Sequence, residues 1–325
     1  RKVELEETQA AVAGYRNFGT KLWNAARFAE MNGCKPLDGF DPTRVTQVLN
    51  QWIIGATARF KEAFDSALNA YRFNDAAQLA YNHVWGTFCD WYVEFSKPLL
   101  SVDNIEKREE TQRTMGWALD QCLIILHPIM PFITEEIWES ISSRKEMLVS
   151  HDWPKYTARD FQNLDADYEI EWTISLIEQI RSVRSELRVP AGEKLPLIQI
   201  KLNSRLLNAI ERNKILIEKL ARLSSISSET PPLNEAVTIS VEGGEFLLQV
   251  SHLVDLPAER ARLLKTIKKY DVEIKLLKDK LSNKKFMTKA PKSVISDTRI
   301  RLTDLDQELT KLYSGLKRLN DFGAL

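Results

Sequence analysis

The chain has 325 residues, with 45 Lys or Arg against 45 Asp or Glu and 44% apolar residues, the composition of a well-packed soluble protein of two or three domains. Its longest apolar run, CLIILHPIMPFI at 122–133, is too short and too interrupted to span a bilayer. Cys34, Cys89 and Cys122 form no C-x-x-C pair, which argues against a zinc ribbon or disulfide framework and for a reducing compartment, and a start at Arg1 with no secretory signal points to a piece of a longer protein.

Residues 1–156 read as a helical bundle. Helical periodicity runs through about 4–32, 42–72, 75–97, 104–127 and 132–142, with Asp41-Pro42, Asn74 and Asp103 where N-caps or first-turn residues belong. Seven tryptophans (23, 52, 85, 91, 117, 138, 153) fall here and are assigned to core packing. On the first helix, Phe18, Leu22, Ala25 and Ala29 form one apolar stripe, with Arg16, Thr20, Asn24 and Arg27 on roughly the opposite face. An Asn three residues before an Arg offers amide donors and acceptors beside a guanidinium plane, the groups that unstacked RNA bases need. A solvated helix face is the plainer reading of the same residues. Asn17, Lys21 and Trp23 are further candidates.

The character changes after Trp153-Pro154, and 157–255 reads as a small α/β subdomain. A helix at about 165–188 leads to the Val189-Pro190-Ala191-Gly192 break, a strand at 195–202 and a helix at 204–223. Strands at 236–241 and 245–250 flank a Glu242-Gly243-Gly244 connection. Arg181, Arg184 and Arg188 recur at helical spacing, a stripe that suits a nucleic-acid backbone, although Glu178 and Glu186 make intrahelical pairing as good an account.

Residues 256–325 carry two heptad seams. Leu263, Ile267, Tyr270, Ile274, Leu277 and Leu281 are answered by Leu302, Leu305, Leu309, Leu312, Leu316 and Leu319, which predicts an antiparallel coiled-coil hairpin with Leu263 near Leu319 and Leu281 near Leu302. Residues 259–292 hold twelve Lys or Arg against four acids, so a basic limb follows an acidic body. Lys268, Lys275 and Lys278 lie off the seam, and Lys284, Lys285, Lys289 and Lys292 cluster at the turn. Flexible ammonium groups suit phosphates without specifying bases. On charge alone, a solvated face or a protein-binding hairpin fits equally well. Phe286 and Met287 either plug the tip or contact a partner.

Catalytic signatures are absent. His83, His127, His151 and His252 share no metal spacing, and there is no P-loop, G-x-G-x-x-G, G-x-S-x-G or zinc-deaminase motif.

YRNFGTKLWNAARF (15–28), YRFNDAAQLAYNHVWGTFCDWYVEFSKPLL (71–100), ILHPIMPFITEEIW (125–138), IRSVRSELRVP (180–190) and LSNKKFMTKAP (281–291) resemble, in order, landmarks of the valyl-tRNA synthetase family. The first three are shared more loosely by the isoleucyl and leucyl enzymes, whereas the SNKKFMTKAP turn is specific to the valyl branch. KLSNK at 280–284 looks superficially like the KMSKS loop of class I synthetases but closes a leucine heptad. The resemblance implies a mainly α chain: a class Ia anticodon-binding helical bundle over 1–156, a small α/β connecting subdomain over 157–255 and a coiled-coil tRNA-binding arm over 256–325. It implies tRNA(Val) as partner, with Arg16, Asn17, Lys21, Asn24 and Arg27 at the anticodon and Arg181, Arg184 and the arm lysines at the tRNA backbone. In that family ATP and valine bind a catalytic domain bearing HIGH and KMSKS motifs, neither of which is present here. The fragment is therefore expected to be catalytically inactive by itself, cytoplasmic, monomeric, off the membrane, and without metal or cofactor. Two alternatives stay open: a stand-alone non-catalytic tRNA-binding module and a protein-protein coiled-coil adaptor.

Overall fold

The computed structural model describes residues 2–37, 39–228, 236–250, 256–283, 286 and 291–320. They gather into two compact units, Arg1–Glu171 and Trp172–Leu325.

The first unit is helical: α1 (Lys2–Met31), α2 (Val48–Asn69), α3 (Phe73–Tyr81), a π-helical segment (Asn82–Tyr92), α4 (Val93–Leu100), α5 (Ile105–Leu126) and α6 (Pro131–Ile141). Leu22, Ile53, Phe64, Phe88, Tyr92, Phe95, Met115, Leu119 and Leu123 are buried in its core. Packing this dense tolerates no extra atom where backbones meet. A Cβ on Gly116 of α5 would stand 2.5 Å from the Lys35 carbonyl carbon, so glycine lets the 35–36 loop cross the helix directly.

Three boundaries differ from expectation. Asp41 caps only a 3₁₀ turn, Pro42–Arg44, its carboxylate accepting from the Thr43 N–H at 3.0 Å, and the helix proper starts at Val48. α5 is capped by Asn104, one residue past the Asp103 expected there, through a 2.9 Å bond from the Lys107 N–H. The helix expected over 75–97 is divided into α3, the π segment and α4; Asn74 does lie in the first turn of α3, after Tyr71 has turned the chain at φ 57°. Of the seven tryptophans in this region, Trp52 and Trp138 are fully buried, and Trp23, Trp85, Trp91, Trp117 and Trp153 are half-buried.

The second unit holds α7 (Leu164–Glu186) from Trp172 onward, β1 (Leu195–Leu202), α8 (Ser204–Ala221), β2 (Leu223–Ser227), β3 (Ala236–Val241), β4 (Gly244–Gln249), α9 (Leu256–Ser282) and α10 (Lys292–Asn320). The sheet order is β2-β1-β4-β3, with β1 parallel to β2 and antiparallel to β4. β3 and β4 form the expected hairpin, with Gly243 at φ 70° in a turn that favours a residue without Cβ. β2 is not expected from the sequence. The helix expected over 204–223 stops at Ala221, Arg222 reverses the chain at φ 55°, and LSSIS then pairs with β1. Arg222 costs more there than glycine would, and its own backbone N–H bonds the Glu218 carbonyl, closing the helix.

α9 and α10 pair antiparallel as the heptads predict. The Glu308 carboxylate accepts from the Tyr270 hydroxyl, Arg301 donates to Glu273 at 3.0 Å and Lys278 lies 3.9 Å from Asp306. Leu263, Ile267, Ile274, Leu305 and Leu316 are buried in the seam. At about 1.5 Å per residue the pair forms a rod of about 40 Å.

Candidate nucleic-acid interface

α1 separates its faces as its stripe predicts. Phe18, Leu22, Ala25 and Ala29 are buried, whereas Arg16, Asn17, Thr20, Asn24 and Arg27 are exposed. Packing of one stripe fixes the helix rotation, and rotation fixes which side chains face water. The result is a short polar ridge with two guanidinium groups and two amides.

The two flanks of this ridge are chemically different. On one, Arg16, Gly19, Thr20 and Trp23 of α1 face Met130 and Ile133 at the start of α6 across an open groove of about 420 Å³. Phe132, between them in sequence, is 90% exposed. On the other flank lies the π segment. The Lys21 ammonium sits 3.7 Å from the centroid of Trp85 and pairs with Asp90. Trp85 and Asp90 are five residues apart, and the i→i+5 hydrogen bonding of a π-helix stacks such residues on one side. In an α-helix they would point well apart, and no single lysine would meet both. Phe18, Tyr81 and Trp85 complete this flank as a set of near-parallel rings, with centroids 5.5, 5.6 and 6.4 Å apart.

Lys21 therefore departs from its expected place among solvent-facing contacts: it is half-buried, with its charge already held by Asp90 and Trp85. The sequence assigns Trp85 to the core and does not single out Tyr81. A ring at the exposed edge of a helix has the same spacing signature as a ring beneath it.

Arg184 is a firmer correction. Expected on a stripe facing a nucleic-acid backbone, it is 7% exposed and donates to the carbonyls of Arg222 (3.3 Å), Pro190 (3.3 Å) and Glu193 (2.7 Å). Desolvation, with Arg222 nearby, lowers its pKa against the opposing pull of Glu193. Its guanidinium closes the break after α7. Arg188 lies beyond the end of α7 at φ 54°, so the three arginines do not share a helix face. Arg181 is exposed while its Nε donates to the Leu220 carbonyl at 3.0 Å.

On the coiled coil, Lys268, Lys275 and Lys278 are exposed, with Lys278 near Asp306. Lys284, Lys285, Lys289 and Met287 lie outside the described residues, as does the side chain of Lys292. Lys280 stands 4.9 Å from the centroid of Phe286.

His83 and the three cysteines of the first unit serve packing. His83 stacks on Phe60 with centroids 4.4 Å apart, and burial, aided by Arg59, pushes its pKa down to about 3. Cys34, Cys89 and Cys122 are all buried free thiols.

Residues 50–199 match the family described as the anticodon-binding domain of tRNA ligase, and residues 255–320 match the valyl tRNA synthetase tRNA binding arm. α1 precedes the first matched stretch but packs on α5, α6 and the π segment within it. Among curated relatives, the chain is 47% identical over 320 residues to a valine–tRNA ligase of Cereibacter sphaeroides, covering 98% of this chain and 32% of that protein. The valine–tRNA ligase of Ruegeria pomeroyi is 43% identical over 323 residues, covering 98% and 32%, and that of Zymomonas mobilis is 39% identical over 322, covering 98% and 36%. The chain thus spans about a third of the length of the curated relatives it matches.

Proposed function

We propose, for a chain that belongs to the valine–tRNA ligase family by its arm and by its curated relatives, that it holds valine tRNA at two places by two kinds of chemistry. The α1 ridge reads the anticodon, with Arg16, Asn17, Asn24 and Arg27 presented to unstacked bases. The α9–α10 hairpin grips the tRNA backbone through lysines, Lys268, Lys275 and Lys278 among the described residues and Lys284, Lys285, Lys289 and Lys292 at the turn. The functional segments follow as 1–156, 157–255 and 256–325. Activation of valine with ATP and its attachment to tRNA belong to the complete ligase, a cytoplasmic enzyme to which this chain contributes recognition. A monomer suffices for this role.

One observation carries the reading: an exposed row of amide and guanidinium side chains on α1, backed by a fully buried apolar stripe. Amides and guanidinium planes address base edges and faces, whereas ammonium groups address phosphates whatever the base. The test is competition between valine tRNA and the same tRNA with its anticodon replaced, for the parent chain and for Asn24→Ala and Arg27→Ala. Reduced preference for the valine anticodon in both variants supports the assignment. Undiminished preference in both would remove α1 as the reader.

A further inference from the structure

The Tyr81 flank carries more than support for α1. Tyr81 is 44% exposed at the edge of the three-ring group, in a protein whose other rings of this group, Phe18 and Trp85, are buried and half-buried. Beside it, Gln78 three residues before and Asn82 the residue after are both exposed, and Gln78 donates to Asn82 at 2.8 Å. Each amide carries both a carbonyl and an NH₂ group, so this single bond leaves the pair with hydrogen-bonding capacity for a ligand's edge. An aromatic face beside paired amides is the equipment for an unpaired nucleobase: stacking supplies affinity and the amides address the edge.

Contacts of Lys21 and Trp85 support this arrangement from below. Lys21 clamps Trp85 and Asp90 together across one π turn, and Trp85 in turn lies under Tyr81, with ring planes 14° apart. Tyr81 and Trp85, four residues apart, share a face in α and π geometry alike; what the π turn adds is that Lys21 meets both Trp85 and Asp90.

We propose that Tyr81 stacks on one unpaired base of the anticodon loop, and that Lys21 is a positioning residue that holds the Trp85 ring under it without touching RNA. This rests on the reading of the bundle as the anticodon-binding part and adds a second contact surface beside the α1 ridge.

The test uses the full chain and an anticodon stem-loop of valine tRNA carrying 2-aminopurine at each loop position in turn. The parent should quench the fluorophore strongly at one position. Tyr81→Leu, which keeps bulk and loses the π face, should abolish that quenching and weaken binding roughly tenfold, within the range that base–aromatic stacking supports. Tyr81→Phe should restore both. Lys21→Gln should reduce the quenching while leaving the salt dependence of binding unchanged, since Lys21 neutralises no phosphate. Unchanged quenching and affinity in Tyr81→Leu would overturn the proposal, as would a loss that Tyr81→Phe fails to restore. If Asn24→Ala erodes anticodon preference while Tyr81→Leu behaves as the parent, this inference alone falls. If the parent binds the hairpin regardless of loop sequence, the anticodon reading falls with it.

Discussion

Glu110 and Gln47 are 63 residues apart in sequence, yet Glu110 Oε1 accepts the Gln47 backbone N–H at 2.9 Å. Its other oxygen accepts from the Thr46 N–H at 3.0 Å and the Thr46 hydroxyl at 2.7 Å. No side chain local to the start of α2 caps it, so a carboxylate from α5 does so instead. The cap also favours negative charge at the positive end of the helix dipole.

Burial alone would raise the Glu110 pKa, but the bonds from Thr46 and Gln47 prevail and lower it. A carboxylate depressed in the folded state contributes stability that is present above its unfolded pKa and is lost as pH falls through its folded value. Glu110→Gln should therefore flatten the stability profile below about pH 4.3, the ordinary glutamate value. Glu110→Ala should cost about 1–2 kcal/mol at neutral pH, the range for a lost cap. Urea melts from pH 3 to 7 check both; a variant profile parallel to the parent's would refute the cap's role in acid sensitivity.

Asp120 and Arg144 form a buried pair, with two N–H···O bonds of 2.6 and 2.9 Å, and Arg144 also stacks 3.7 Å from the Trp138 centroid. Removing one partner leaves a charge without its counterpart in a largely buried site. Asp120→Ala should lose about 3–5 kcal/mol, and the double variant with Arg144→Met should lose less than the sum of the singles. Denaturant melts of the four proteins in the cycle measure this; strict additivity would mean the pair is not coupled.

Arg184→Met should lower thermal stability and leave the salt dependence of tRNA binding unaltered, because its guanidinium serves three carbonyls inside the fold. Lys268→Ala with Lys275→Ala should do the reverse: melting unchanged, and the log–log salt slope shallower by up to about 0.7–0.9 for each phosphate no longer neutralised. Parallel melts and binding titrations separate the two. A shallower slope for Arg184→Met would return that residue to the interface.

The cysteines should be inert in the native protein. Burial pushes the Cys34 and Cys89 thiols up to about 12, and Cys122 also well up, so thiolate is scarce and access closed. A thiol reagent at pH 8 should label none of the three until denaturant is added. Prompt labelling of any one would show that its surroundings open readily.

Periodicity carries far in this chain because burial and sequence spacing express the same geometry. The Phe18-Leu22-Ala25-Ala29 stripe, the two leucine seams and the β3–β4 hairpin are all legible that way. What escapes depends on atoms distant in sequence. The π segment meets its Lys21 contacts on a different helix; β2 is five residues long and exists because β1 offers it an edge. Arg184 carries the same charge buried as exposed, and only the carbonyls of Pro190, Glu193 and Arg222 fix its place.

The proposed division of labour between a ridge that reads the anticodon and an arm that grips phosphates is tested most directly by binding of the chain to valine tRNA, and to the same tRNA with its anticodon replaced, at two salt concentrations. Binding to the altered tRNA should be weaker at both salts, and affinity should fall with salt at a similar slope for the two, since the phosphates gripped are common to both. Equal affinity for the two tRNAs would contradict the ridge as reader, and affinity indifferent to salt would contradict the arm as grip.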